Sequence, residues 1–179
     1  PTADQQSALE AVADRVVDPV EALVSRVTEA TGADGDELPV RLLSTLRELS
    51  GPLLVVAHDN PDPDAIASAI GLARVADVVG VPADPCYGGD IAHQENRALV
   101  NLLDLSLSTF DEIDLDDDDG VALVDHSRAG INDSLPEEHP VDIVVDHHPP
   151  RGPVAGEFVD IRPDAGATST LIEEYLSRL

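Results

Sequence analysis

The 179-residue sequence predicts an α/β fold: a three-layer sandwich around a mainly parallel sheet, preceded by an N-terminal helical extension. Three observations lead there. Short continuous apolar runs, "PLLVVA", "GVALV" and "VDIVV", read as strands covered on both faces. Stretches with apolar residues at spacings of three and four separate them, so strands alternate with helices. Each of these runs ends in a cluster of Asp and His, as expected where parallel strands bring their carboxyl ends to one ligand-binding edge.

Residues 7–30 read as helical through Leu9, Val12, Val16, Val20, Leu23 and Val27, with a restart at "DPVE": Asp18 as cap, Pro19 at the first helical position and Glu21 three after the cap. "TGADGD" (31–36) is a loop, and residues 37–50 are helical again, closed by Gly51. These helices form the extension, residues 1–51. "PLLVVAHD" opens residues 52–179, the catalytic domain. A helix over 64–79 buries Ile66, Ala69, Ile70, Ala73 and Val78 and stops at Gly80. "PADPCYGG" (82–89) is a weaker strand, and 93–105 a helix through Leu99, Leu102 and Leu103. "DEIDLDDDDG" (111–120) reads as a solvated acidic connector. Two strands follow, 120–127 and 141–148. "GATSTLIEEYLSRL" then opens a helix with capping-box spacing at Thr170 and Glu173 and apolar faces from Leu171, Ile172, Tyr175, Leu176 and Leu179.

Composition narrows the function. There are 36 Asp+Glu against 10 Lys+Arg, a formal net charge of -26, and every basic residue is arginine. Self-repulsion at that charge opposes a compact state unless salt screens it, so the sequence reads as adapted to high salt in a cytoplasm. A basic groove tracking a phosphate backbone is excluded; bound cations must attract an anionic substrate. The single cysteine, Cys86, excludes an internal disulfide framework. There is no membrane-length apolar run and no signal-peptide pattern at the start.

The chemistry lies in the three clusters: His58, Asp62 and Asp64 in "AHDNPDPDA", Asp125 and His126 in "VDHS", and Asp146, His147 and His148 in "VDHH". Taken singly each has a structural explanation, since Asp and Pro also make turns and helix caps. Their joint occurrence at three strand ends argues for a shared site. Carboxylates crowded together repel unless a cation neutralises them, and carboxylates mixed with imidazoles suit Mn, Fe, Co or Zn. His58, Asp62, Asp64, Asp125 and His147 offer more ligands than one ion needs, which suggests two metals about 3.5–4 Å apart.

"HDNPDPDA", "VDHS" and "VDHHPP", followed by "GATST", resemble the successive motifs of the DHH phosphoesterase superfamily over about residues 52–179. That superfamily includes RecJ-like exonucleases, nanoRNA- and pAp-hydrolysing phosphatases, cyclic-dinucleotide phosphodiesterases and manganese-dependent (family II) inorganic pyrophosphatases. The resemblance implies two divalent ions, Mn2+. His58 and Asp62 would hold one and Asp64 the other, Asp125 would bridge them, and His147 would be a ligand. His148 would face the substrate phosphate and leaving group, with Asp146 orienting an imidazole. A metal-activated water would be the nucleophile. The substrate would be a small phosphorylated molecule or short single-stranded oligonucleotide, with homodimerisation left open. The resemblance also implies a further metal-ligating Asp and a C-terminal substrate-gripping domain, neither present here, so residues 52–179 read as the catalytic domain of a longer protein and as incomplete alone. Three functions stay open, in order: a nucleotide phosphoesterase, an inorganic pyrophosphatase, and a non-catalytic regulatory module, against which the intact motifs argue.

The charge yields a first prediction. The melting temperature should rise from low to molar salt, because exposed like charges within about 8–10 Å repel until screened. A calorimetric scan series across salt concentrations checks this, and a flat profile would sink the high-salt reading.

Overall fold

A computed structural model of the chain describes residues 37–116 and 118–179. The helix expected over 7–30 and its restart at Asp18 lie outside the described residues. The described elements run α1 (Leu38–Glu48), β1 (Leu53–Ala57), α2 (Pro63–Val78), β2 (Ala83–Tyr87), α3 (Gln94–Leu102), β3 (Ser108–Thr109), a 3-10 turn (Phe110–Glu112), β4 (Gly120–Val124), β5 (Ile143–Asp146), β6 (Phe158–Ile161) and α4 (Thr168–Leu176). The six strands form one sheet in the order β3-β2-β1-β4-β5-β6, with every pairing parallel. The fold is α/β, as the sequence predicts.

Strand order fixes where a ligand can sit. From β1 the chain steps outward through β2 and β3, then returns to lay β4 on the other side of β1. The crevice at such a reversal is the usual ligand position in open parallel sheets. Here Ala57, Val124 and Val145 stand level across β1, β4 and β5. The residues that follow them, His58, Asp125 and Asp146, therefore emerge abreast on strands about 4.8 Å apart.

The two sheet faces are covered differently. Leu53, Val55, Ala57, Ala122, Val124, Ile143, Val145 and Phe158 face a core shared with Leu42, Leu43 and Leu46 of α1, Ala65, Ala69, Leu72, Val75 and Ala76 of α2, and Leu171, Ile172 and Tyr175 of α4. The alternate residues Leu54, Val56, Cys86, Val121, Leu123 and Val144 meet Leu135, Ile113, Leu115, Val141 and Val154. Among the described residues this second covering layer is built from the connections around β4, β5 and β6 rather than from helices. Right-handed crossovers explain the division, because reversing the direction of travel at β4 moves the connections to the opposite face. The acidic stretch 111–120 is thus more than a solvated connector: Ile113 and Leu115 anchor it to the sheet.

Several elements depart from the pattern reading. β3 and β6 have no counterpart among the expected strands. β3 is only two residues long, and "FVDI" of β6 carries a buried Asp160 that breaks the apolar run. In α2, Val78 is 41% exposed, because the buried stripe is carried by Ala65, Ile66, Ala69, Leu72, Val75 and Ala76 instead. In α3 the buried residue is Asn96, whose Nδ2 donates to Pro61 O at 3.0 Å, while Leu102 and Leu103 are 82% and 61% exposed. The α3 helix is therefore anchored through the β1–α2 connection, not through the leucines at its end. The last helix begins at Thr168 after Ala167, two residues ahead of the expected cap at Thr170, and it ends at Leu176.

Helices α2 and α4 pack closely at Gly71, where an added β-carbon would stand 2.6 Å from Ile172 Cγ2. Helix propensity alone favours Gly71→Ala by about 1 kcal/mol. Overpacking a tight contact costs roughly 1–3 kcal/mol. The overpacking should win, so Gly71→Ala should lower the urea midpoint of unfolding. A raised midpoint would show that the two helices have room to separate.

Candidate metal centre

The centre is organised around Asp125. It follows β4 directly, donates its backbone N–H to Val145 O at 3.0 Å, and adopts a left-handed conformation with φ of 63°. That conformation costs a non-glycine residue of order 1–2 kcal/mol, and Asp is among the residues that tolerate it best. The side chain is turned inward and the residue is 4% exposed. Thr168 Oγ1 donates to Asp125 Oδ1 at 2.8 Å. No arginine pairs with this carboxylate among the described residues, so its charge must be balanced another way.

Imidazoles approach both of its oxygens. His58 Nε2 lies 3.5 Å from Oδ2, and His147 Nε2 lies 3.5 Å from Oδ1. In each ring the other nitrogen is held by a backbone carbonyl: His58 Nδ1 by Asp59 O at 3.0 Å, His147 Nδ1 by Ala165 O at 3.2 Å. Carbonyls only accept, so each Nδ1 carries the proton and each Nε2 is left with a lone pair. This arrangement fixes the tautomer of a metal-ligating histidine. A protonated Nε2 could donate to Asp125, which raises the His58 pKa against the opposing effect of burial.

Two sets of donors converge here: His58, Asp62 and Asp125 in one, Asp125, His147 and His148 in the other, with ligand atoms within 4.8 Å of one another in each. Donors sharing a first-row divalent ion at roughly 2.0–2.2 Å stand roughly 3–3.5 Å apart. The spacings around Asp125 fit that demand, and a buried carboxylate with no cationic side chain supplies the electrostatic reason. Asp125 is the member common to both sets, and Asp64 Oδ2, 3.7 Å from His147 Nε2, offers the second set a carboxylate in place of His148, so the residues present fit a pair of ions.

Asp62 and Asp64 also serve the backbone. Asp62 Oδ1 caps α2 by accepting from Asp64 N and Ala65 N at 2.9 and 3.0 Å. Asp64 reaches across the fold to cap α4, accepting from Ser169 N at 2.7 Å and Thr168 N at 2.8 Å. Burial works to raise the Asp64 pKa, but the Ser169 and Thr168 donors outweigh it and the net shift is downward. Asp64 stands outside both convergent sets, with Oδ2 at 3.7 Å from His147 Nε2.

His148 is held differently. Its Nδ1 lies 2.9 Å from Asp146 Oδ1, which also accepts the His148 backbone N–H at 2.9 Å. Asp146 is 1% exposed whereas the His148 side chain is 56% exposed. A buried carboxylate thus fixes one nitrogen and leaves Nε2 for the open side of the centre. His126, although part of the "VDHS" motif, has both nitrogens engaged, Nδ1 at Val124 O and Nε2 at Asp133 Oδ2, at 2.9 and 3.0 Å. Both nitrogens are committed to these partners, so His126 fixes the loop after β4.

Sequence reasoning missed Thr168 and Asp133. Thr168 is fully buried, donates to Asp125 and accepts from His147 N at 3.1 Å, tying two strand ends to the start of α4. Its one local signal is the "GATST" segment, which reads as a helix start. Asp133 carried no signal, because its partners are set by a loop conformation.

Comparison with known proteins follows this geometry. Residues 52–178 match the model of the DHH family, N-terminal domain. The chain belongs to the DHH family. An uncharacterized protein of Methanocaldococcus jannaschii is 40% identical over 147 residues, covering 82% of this chain and 30% of that protein. A Bacillus cereus protein named "Probable manganese-dependent inorganic pyrophosphatase" is 36% identical over 96 residues, or 54% of this chain and 31% of that protein. The chain thus spans about a third of the length of these curated relatives. An exopolyphosphatase-related protein from Bacteroides fragilis shares the fold, with a TM-score of 0.55 at 16% identity over 83% of this DHH chain and 45% of that one. Among the described residues no helix is long and apolar enough to cross a membrane.

Asp133 yields a pH prediction. Burial works to raise its pKa, but hydrogen bonds from His126, Gly130 N and Leu135 N bring it below the ordinary value. A depressed folded pKa contributes stability that is present above the unfolded value of about 4 and lost as pH falls through the folded one. Asp133→Asn should therefore cost about 1–3 kcal/mol at pH 7, with the deficit shrinking as the pH drops below about 4. Urea unfolding of both proteins across pH checks this; a deficit that is constant with pH would mean the charge plays no part.

Proposed function

We propose that this DHH chain is the catalytic part of a hydrolase acting on phosphoester bonds of small phosphorylated substrates, with nucleotides as the substrate class: short oligonucleotides, pAp or cyclic dinucleotides. The observation that carries this reading is Asp125, with an imidazole Nε2 at 3.5 Å from each carboxylate oxygen. His58, Asp62 and Asp125 would hold one divalent ion, and Asp125, His147 and Asp64 the other. Mn2+ is favoured by the naming of the Bacillus cereus relative. When bound, such a pair supplies Lewis-acid polarisation of phosphoryl oxygens and an activated water.

The chain's own residues do the positioning. Thr168 and the αL backbone lock Asp125. Carbonyls of Asp59 and Ala165 aim His58 and His147. Asp146 turns His148 so that Nε2 faces the substrate phosphate and leaving oxygen, a role that needs contact with the substrate rather than a lone pair on a metal. We also read residues 52–179 as the catalytic domain and 1–51 as an extension to it, of which α1 packs into the shared core. A pyrophosphatase is the second reading, favoured by the relative just named.

Asp125→Asn should cost most, because it removes a charge shared by both donor sets; Mn2+ binding by calorimetry should be abolished or nearly so. His148→Ala should retain Mn2+ binding and slow turnover by roughly 10²–10⁴-fold, the range for a positioned acid–base group. Both are to be measured on the full-length protein with pAp, short oligonucleotides and pyrophosphate. Loss of metal in His148→Ala would overturn the division of roles, and pyrophosphate turnover far above the rest would promote the second reading.

A further inference from the structure

A groove of 370 Å³ opens beside the centre, with Asp125 and His148 at its inner end and Arg128, Ile131, Pro149 and Arg151 along its walls. Its volume falls within the roughly 300–1,000 Å³ of sites that take small organic ligands. The two arginines are unexpected there. In a chain with 36 acidic residues and 10 arginines, several described guanidiniums find partners: Arg41 over the Phe158 ring, Arg74 with Asp77, Arg97 with the carbonyls of Ile91 and Ala92, Arg162 with Asp160 and Glu174; Arg47 of α1 makes no such contact with a described residue. Arg128 and Arg151 make no hydrogen bond, ion pair or ring contact with any described residue. Both stand beside the centre, where an anionic substrate would arrive.

Both are presented from restrained backbone. Arg128 lies in the loop that Asp133 closes, through His126 Nε2, Gly130 N and Leu135 N at 3.0, 2.9 and 2.8 Å. The same loop is tied to the β1 end by Asp59 N donating to Asn132 O at 2.7 Å. Arg151 follows Pro149 and Pro150, whose rings fix φ. Arg128 Nη1 lies 3.6 Å from where a β-carbon on Gly152 would stand, so the two arginine-bearing segments meet across the groove. Ile131, 50% exposed, adds an aliphatic surface to the same groove.

We infer that this groove is a nucleotide subsite, in which Arg128 and Arg151 hold the phosphate of a nucleoside monophosphate unit beyond the scissile bond while its base lies against Ile131 and Pro149. Guanidinium forks match phosphate oxygens in a way that a general positive field does not. The apolar wall suits a base and is wasted on pyrophosphate, which has no apolar part. The inference rests on the hydrolase reading and narrows its substrate to molecules with a nucleotide on the leaving or retained side.

The test uses the full-length protein without added metal, so that it does not depend on turnover. Adenosine 5′-monophosphate is titrated by calorimetry, with inorganic phosphate as the control. The nucleotide should bind at least about tenfold more tightly than phosphate, and Arg128→Ala and Arg151→Ala should each weaken it about tenfold, the effect of one charged hydrogen bond. Ile131→Ser should weaken the nucleotide and leave phosphate unchanged. Both arginines are exposed, so folding is not at stake, and Arg128→Lys should recover only part of the affinity. Equal affinities for nucleotide and phosphate, or a double arginine variant that binds like the parent, would overturn the subsite. Hydrolysis of pAp by the parent with Mn2+ is measured alongside. No turnover with arginine-dependent binding would sink the hydrolase reading alone, and turnover with arginine-independent binding would sink the subsite alone.

Discussion

The buried carboxylate of Asp125 is the constraint on which the rest depends. Taking an ionised carboxylate out of water is costly unless charge and hydrogen bonds are returned to it, and among the described residues Asp125 receives one hydrogen bond, from Thr168 Oγ1, with the imidazoles of His58 and His147 at 3.5 Å and that of His148 farther off at 3.7 Å. Each of those comes from a different element: β1 delivers His58, β5 delivers His147, and α4 delivers Thr168. The parallel sheet in the order β1-β4-β5 makes that convergence possible, since an antiparallel neighbour would send its strand end to the opposite edge. The αL turn at Asp125 then brings the side chain inward instead of continuing the pleat. Sheet register, backbone strain and imidazole tautomers all lead to one unneutralised anion, which a divalent ion completes.

Several carboxylates share this small region, and helix termini moderate their repulsion. Asp62 caps α2 and Asp64 caps α4, so both accept hydrogen bonds from helix N-terminal amides. The partial positive charge at each helix start favours an anion there. Asp64 is the more consequential of the two, because it links the β1–α2 connection to the start of α4, where Thr168 also holds Asp125. The close packing of α2 on α4 at Gly71 and Ile172 keeps that start in register. Site electrostatics and core packing are in this way the same structure viewed from two ends.

Much of this was legible in the sequence, and what was not has physical reasons. The strands β1, β4 and β5 announced themselves because both faces are covered, leaving uninterrupted apolar runs. Their terminal Asp and His residues followed from that and met as expected at one edge. β6 was hidden because Asp160 sits in its middle, stabilised by Arg162 and by the Tyr175 hydroxyl, partners no local pattern reveals. The capping box at Thr170 and Glu173 failed because the real cap, Asp64, lies about a hundred residues away in sequence. His126 looked like its neighbours in composition and differs only in that both ring nitrogens are already engaged. Local rules read propensity and periodicity; they do not see which donor a distant residue has already claimed.

Net charge and site chemistry remain to be reconciled, since a chain at -26 should repel a phosphorylated ligand. The answer lies in the range of the forces. At 1 M salt the screening length is about 3 Å, so the distant acidic surface contributes little at the centre and only groups in contact count. Within that range the field would be set by any divalent ions held at the centre, by the helix starts at Asp62 and Asp64, and by the cations that line the approach. Acid over most of the surface is then compatible with meeting an anion, because Arg128 and Arg151 stand beside the centre. Arginine suits that position better than lysine, because its planar fork holds phosphate by directed hydrogen bonds as well as by charge. With arginine as every basic residue of the chain, those directed contacts are available even where long-range attraction is screened away.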